Sequence, residues 1–362
     1  MSNLKPELAA RIHPIAEKWE GFAQKVEQRV QAVLNEAHAG IDQLIAQHAL
    51  DPGPMGTAMQ AVQTRFHGLD QKVSDSWDKI SEEFDEVTDD DDLSTEDYEA
   101  LIAVSDAAHK RMEGLREHIE LQWAWLEMRK QADWARRLYE IMQQEAQQPV
   151  SCSQCGAPFQ NTTWWAAANV NCPHCGSLNS IQPGAASGMF YAGLGAHAMS
   201  HEQAWNEWMA EFQAKKFYDG RRHQTAGDHQ HWLNAAHAYW TKYYQTTQQM
   251  NPGFTQPVEE AVQNRLAQYT SFEQPLDKMQ RDFFQNLCQA AATGNAGAVH
   301  QVLQNPPAGV GLDECAECLY EHGDRNGAVI VLDYQYQAEG EDDPKDEWIR
   351  ERMREIKETL SD

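Results

Sequence analysis

Positive charge is scarce in this sequence. Its 362 residues hold 29 Lys and Arg against 55 Asp and Glu, a formal charge of -26 with a pI near 4.9. A chain of that sign repels phosphate backbones, so unassisted binding to DNA or RNA is disfavoured. Long apolar runs are missing too. No window holds 18 consecutive apolar residues, so no membrane-spanning helix is expected. The opening MSNLKPELAA has neither an apolar h-region nor a cleavage site, so no secretory signal is expected. There is no P-loop, no Gly-x-Gly-x-x-Gly, no His-Glu-x-x-His and no Gly-x-Ser-x-Gly, so no familiar catalytic motif stands out. Cysteine is sparse, with seven in all, and four of them form close pairs. That usage suits metal binding in a reducing, cytoplasmic setting better than a disulfide framework.

Charge of either sign disappears locally. From Ala146 to His201, 56 residues contain no Asp, Glu, Lys or Arg, in a chain that is 23% charged. A neutral surface of this kind is expected to pack against something. The candidates are the same chain, a second copy or another protein.

What is present before that segment is helical periodicity. Leu8, Ile12, Ile15, Trp19, Phe22, Val26, Val30, Val33, Ala37, Ile41 and Leu44 recur at the 3.6-residue period of an amphipathic helix. Pro14 marks either a kink in this helix or its start. "DPGPMG" at 51–56 breaks the pattern. A second stripe runs through Met59, Val62, Phe66, Leu69, Val73, Trp77, Ile80, Phe84 and Val87. The "DDDD" run at 89–92 lacks the glycine and glutamate of an EF-hand and reads as a solvated loop. Ser94, with Asp97 three residues on, looks like a capping signal for a third helix to about Gln147. Its stripe includes Tyr98, Leu101, Met112, Leu115, Ile119, Trp123, Leu126, Trp134, Leu138 and Ile141. Short connections favour antiparallel neighbours, so 1–147 is expected to be a coiled-coil-like helical bundle.

"SCSQCGAPFQNTTWWAAANVNCPHCG" at 151–176 carries the clearest chemistry. Cys152 and Cys155 face Cys172 and Cys175 across sixteen residues, with a glycine after each pair. Each pair can turn two sulfurs toward one ion, and four thiolates in a tetrahedral array suit zinc. "CSQCGAPF" and "CPHCG" resemble the two knuckles of a zinc ribbon. That resemblance implies one structural Zn2+ on Cys152, Cys155, Cys172 and Cys175, and implies nothing specific about role. The knuckles also resemble those of rubredoxin, which would imply iron. Sixteen intervening residues are too few for that pattern, and its aromatic and acidic positions are missing. Trp164 and Trp165 are expected to pack over the site, and His174 to be exposed.

Further metal sites have candidates. Cys315 and Cys318 form a third Cys-x-x-Cys, which Cys288 and His300 could complete, although such a pair on a helix is often plain core. Asp313 reads as a helix N-cap there. His223, His229, His231 and His237 surround the turn 219–228, with Asp228 as a further ligand or, more simply, an N-cap. Lys215, Lys216, Arg221 and Arg222 form a dense basic patch. In the C-terminal region, "AAATGNAGAVHQVLQN" at 290–305 resembles the helical half of an ankyrin repeat. "AECLYEHGDRNGAVIVLDYQYQAEG" at 316–340 resembles a helix-turn-helix of a tetratricopeptide-like array. No clean period crosses the region.

The expected chain is therefore mainly α. It has a long antiparallel helical bundle at 1–147 and a small four-cysteine zinc ribbon at 148–182. An uncharged Gly/Ala-rich connector follows at 183–200, then a C-terminal helical domain with repeat-like segments at 201–362. The expected role is a non-enzymatic scaffold or adaptor in the cytoplasm. It would engage a protein partner, or a second copy of itself, through the ribbon region and the C-terminal helices. Nucleic acid is not an expected partner, and neither is a membrane. Two alternatives are a metal-dependent enzyme or redox protein, using the turn 223–237 or an iron-loaded cysteine site, and peripheral membrane association through 183–199.

Overall fold

The computed structural model describes residues 4–89, 93–160, 165–192, 195–270 and 275–339. The chain is mainly α, with twelve helices and two small antiparallel sheets among the described residues. It divides into two compact units. One is Met1–Glu202 with Asn251–Gly253, and the other is Gln203–Met250 with Phe254–Asp362.

In the first unit, three long helices pack on one another: α1 (Pro6–His48), α2 (Pro52–Thr88) and α3 (Thr95–Ala146). Their ends follow local chemistry. Pro6 and Pro52 stand in first-turn positions where a missing N–H costs nothing. Asp51 accepts from the Gly53 amide at 3.1 Å, and Ser94 from the Asp97 amide at 3.3 Å. Pro14 lies inside α1 and is not its start; the helix runs through it because Leu8 and Ile12 on the preceding turns are buried. Cross-links set the directions. Lys18–Glu83 and Arg65–Glu36 join α1 to α2 in opposite order along the two helices, and Phe66–Trp123 and Trp77–His109 do the same for α2 and α3. Arg111–Glu20 and Lys130–Asp42 pair α3 with α1 in parallel. Successive helices are therefore antiparallel.

The stripes find the core. Trp19, Val30, Ile41, Phe66, Val73, Phe84, Leu101, Leu115, Leu126 and Leu138 are all buried. Tyr98 is a correction: it is 48% exposed, and its neighbour Asp97 turns inward. The reason is polar, since Asp97 answers both Lys5 and the Ser94 hydroxyl. The "DDDD" loop falls largely on 90–92, which lie outside the described residues.

After α3 come two hairpins. β1 (Val150–Ser151) pairs with β2 (Pro158–Phe159), Val150 opposite Phe159. β3 (Ala168–Asn171) pairs with β4 (Leu178–Ile181), Ala168 opposite Ile181. They share a small core of Cys152, Phe159, Cys172 and Ile181.

The segment read as a connector is folded. It forms α4 (Ala185–Ala192) and α5 (Gly195–Gln203), and α4 packs on α3. Phe190, Ala186, Ala196 and Ala198 join the bundle core. Small side chains permit this: an added Cβ at Gly195 would lie 2.7 Å from the Phe190 ring. Glu202 ties α5 back to Arg129 and Arg136 on α3. The second half of the neutral segment is thus packed against its own chain.

The second unit continues with α6 (Trp205–Asp219), α7 (Ala226–Met250), α8 (Val258–Thr270), α9 (Pro275–Ala292), α10 (Ala296–Leu303), α11 (Leu312–Glu321) and α12 (Arg325–Glu339). One core, from α6, α7 and α8, is built of Tyr239, Trp240, Tyr243 and Val262. Another, from α9 to α12, is built of Phe284, Leu287, Val299, Cys315, Leu319 and Val331.

Candidate metal centre

The two knuckles repeat one local design twenty residues apart. The Gly156 amide donates to the Cys152 carbonyl at 3.0 Å, and the Gly176 amide to the Cys172 carbonyl at 2.9 Å. Both glycines take positive φ, 72° and 73°, which a side chain would strain. A Cβ at either would meet nothing within 4 Å, so conformation alone demands glycine there. The Cys152 amide closes each turn onto the Ala157 carbonyl in the first knuckle, and the Cys172 amide onto the Ser177 carbonyl in the second.

This brings all four sulfurs together, each within 4.8 Å of the others. Cys152 and Cys175 sulfurs are 3.7 Å apart, and those of Cys155 and Cys172 are 3.8 Å apart. A tetrahedral ion with bonds of about 2.3 Å to thiolate sets its sulfurs roughly 3.8 Å apart. The residues present therefore fit a metal ion. Cys152 and Cys172 are buried, while Cys155 and Cys175 face water.

The design repeats imperfectly, and the differences bear on the sulfurs. Asn179 stands where the first knuckle has Phe159, and both are buried. Its carbonyl oxygen accepts from the Ser153 amide at 2.9 Å and from the Ser153 hydroxyl at 3.0 Å. Its amide nitrogen donates to the Ser177 carbonyl at 3.0 Å and approaches the Cys152 sulfur at 3.7 Å. One side chain thus ties knuckle to knuckle. Ser177 stands where the first knuckle has Ala157, and its hydroxyl lies 3.2 Å from the Cys152 sulfur and 3.1 Å from that of Cys175. The Gln154 and His174 amides point at the Cys152 and Cys172 sulfurs, each at 3.4 Å. Hydrogen bonds first from Ser177, then from backbone amides, hold the Cys152 thiol down at about 5. Ser177 likewise lowers Cys175. Asn179 and Ser177 escaped the sequence reading; the clue available was their place in the knuckle repeat.

The residues between and around the cysteine pairs in sequence include no Asp, Glu, Lys or Arg. Leu178 is 64% exposed, and His174 is exposed as expected. Trp165 is half-buried, and Trp164 lies outside the described residues.

The histidines of the turn 223–237 do not assemble. His223 is buried edge-on against Phe284, beside Glu317 and Glu321. His229 packs against Tyr218 and Trp232, and burial lowers its pKa. His231 is exposed, and His237 sits 3.7 Å from Glu259. The basic patch is engaged internally: Lys215 pairs with Asp219, Arg222 with Glu317, and Arg221 donates to the Glu321 carbonyl. Asp228 is not the N-cap of α7. It occupies the third position, accepting from the Thr225 amide at 2.9 Å while its own amide donates to the Thr225 hydroxyl at 3.1 Å. Asp313 is likewise inside α11, where Glu314 accepts from the Gly311 amide at 2.9 Å.

The second cysteine group differs from the expected set. Cys315 is buried in the α9–α12 core, and His300 stacks on Tyr334 at 4.7 Å. Donor atoms of Cys288, Cys318 and His322 instead lie within 4.8 Å of one another. His322 was missed because it is the cap residue after α11, one turn beyond Cys318. No family model, curated protein or solved structure matches the chain.

Proposed function

We propose that residues 148–182 form a zinc ribbon with one structural Zn2+ on Cys152, Cys155, Cys172 and Cys175. The protein, in this reading, is a non-enzymatic scaffold or adaptor whose ribbon docks a protein partner. The supporting observation is the ribbon's design. It combines four sulfurs at tetrahedral spacing, a small core of its own, and an uncharged outer face that exposes Leu178. Four thiolates close the coordination sphere and leave no position for substrate, which suits a structural ion. A face without Lys or Arg supplies no phosphate contacts, so the partner is a protein rather than a nucleic acid. Paired thiols at metal-binding spacing suit a reducing, cytoplasmic setting. No described helix is long and apolar enough to cross a membrane. The apolar residues of the segment after the ribbon are spent on the bundle core, so docking falls to the ribbon rather than to 183–199.

The test uses the full chain and Leu178→Asp, which leaves the sulfurs and the bundle alone. A partner retained by the full chain and lost by the variant, at equal metal content and helicity, supports the reading. Identical partner sets reduce the ribbon to a staple. The visible spectrum checks the ion, since zinc is silent and ferric iron on four thiolates is coloured.

A further inference from the structure

We infer that the second unit carries a separate metal site, in which Cys288, Cys318 and His322 hold a divalent, zinc-class cation. Two helices converge to make it: α9 supplies Cys288, and α11 supplies Cys318 and, at its C-cap, His322. Two sulfurs and one imidazole nitrogen lie mutually within 4.8 Å. The Cys318 sulfur and His322 Nδ1 are 3.8 Å apart, close to the separation of neighbouring donors around one tetrahedral ion.

His322 is already oriented as a ligand. Its Nε2 lies 3.0 Å from Asp228 Oδ2, and Asp228 is fixed in turn by the Thr225 amide at 2.9 Å and the Thr225 hydroxyl at 2.8 Å. A carboxylate that holds the far ring nitrogen is the usual support for a metal-bound histidine. Nδ1 is then the ring nitrogen on the side of the Cys318 sulfur. Nδ1 also lies 2.7 Å from the Cys318 carbonyl, which can only accept, so this contact needs a proton on Nδ1. A cation would take that proton's place, and its binding releases protons from the imidazole and the thiols.

Asp228, 3.0 Å from His322, brings a negative charge to the site. Cys318 is buried and Cys288 only half-buried, so entry is from the Cys288 side. Two thiolates and one imidazole leave the fourth tetrahedral position to water or to an external ligand, unlike the closed ribbon site. The donor set, soft sulfur with nitrogen, selects zinc over magnesium or calcium.

This site does not depend on the ribbon reading, and metal counting separates the two. The full chain, purified under reducing conditions, should hold two zinc ions. Cys288→Ser, a near-isosteric change at a half-buried position, should hold one. A chain with Cys152→Ser and Cys155→Ser should also hold one, and combining all three substitutions should leave none. Loading the ribbon-disabled chain with Co2+ should give thiolate charge-transfer bands that Cys288→Ser abolishes. One zinc per full chain, lost entirely with the ribbon cysteines, overturns the inference. So does a ribbon-disabled chain that keeps its helicity by circular dichroism and takes up no Co2+.

Discussion

Asn179 shows how much one side chain can decide at a small site. It satisfies the Ser153 amide and hydroxyl, reaches the Ser177 carbonyl, and holds the turns of both knuckles in one register. Removing such support around a metal typically weakens binding 10- to 100-fold. Asn179→Ala should therefore lose the ion proposed for the four cysteines at about 10-fold lower chelator concentration, read by competition with a chromogenic chelator. Asp97 makes a second residue-scale prediction. The hydrogen bond from Lys5, then that from Ser94, holds its carboxyl below the ordinary range, and the same pair raises Lys5. A carboxylate with a lowered folded pKa stabilises the fold above its unfolded value, about 4, and loses that contribution as pH falls through the folded value. Lys5 contributes below its unfolded value, about 10.5, and loses its share above that. The clasp is therefore strongest between the two. Asp97→Asn should melt earlier than wild type at pH 7, and the gap should narrow progressively as pH falls below about 4. A gap that persists at pH 2 would argue against the clasp.

At the scale of elements, helices and hairpins differ in what sustains them. α1, α2 and α3 run to 43, 37 and 52 residues and bury continuous stripes. The hairpins pair two residues in one case and four in the other, over a core of four buried side chains. Two-stranded hairpins of that size are marginal alone, so the ion is expected to hold them. Stripping metal with a strong chelator should erase the hairpin amide resonances while far-UV helicity changes little. Loss of helicity in proportion would show that the ribbon props up the bundle. The element scale is also where the sequence reading was strongest and then failed. Stripes at 3.6 spacing exposed the three long helices because burial repeats along one face. The segment 183–200 has no such stripe. Ala186, Phe190, Ala196 and Ala198 fold into helices because α3 and its neighbours offer a surface to fill, and small residues fit it.

For the whole molecule, each unit has buried cores of its own among the described residues. Phe190 and Leu287 are each fully buried, one in each unit. Large-to-small substitutions at such positions cost about 2–5 kcal/mol. Calorimetry should therefore resolve two transitions, with Phe190→Ala lowering one and Leu287→Ala lowering the other. A single transition shifted by both substitutions would mean the units unfold as one.

Sequence alone determined the mainly helical class, the three long helices and the grouping of Cys152, Cys155, Cys172 and Cys175. Each of these is written in local spacing: a 3.6-residue stripe, a capping serine, or two cysteines on one turn followed by glycine. Only the tertiary structure decided which distant residues meet. Cys288 finds Cys318 and His322 rather than His300, because α9 packs beside α11 while His300 turns to Tyr334. Asp228 reaches His322 across 94 positions of chain. Such meetings depend on helix crossings set by the packing of whole cores, and no short window of sequence encodes them.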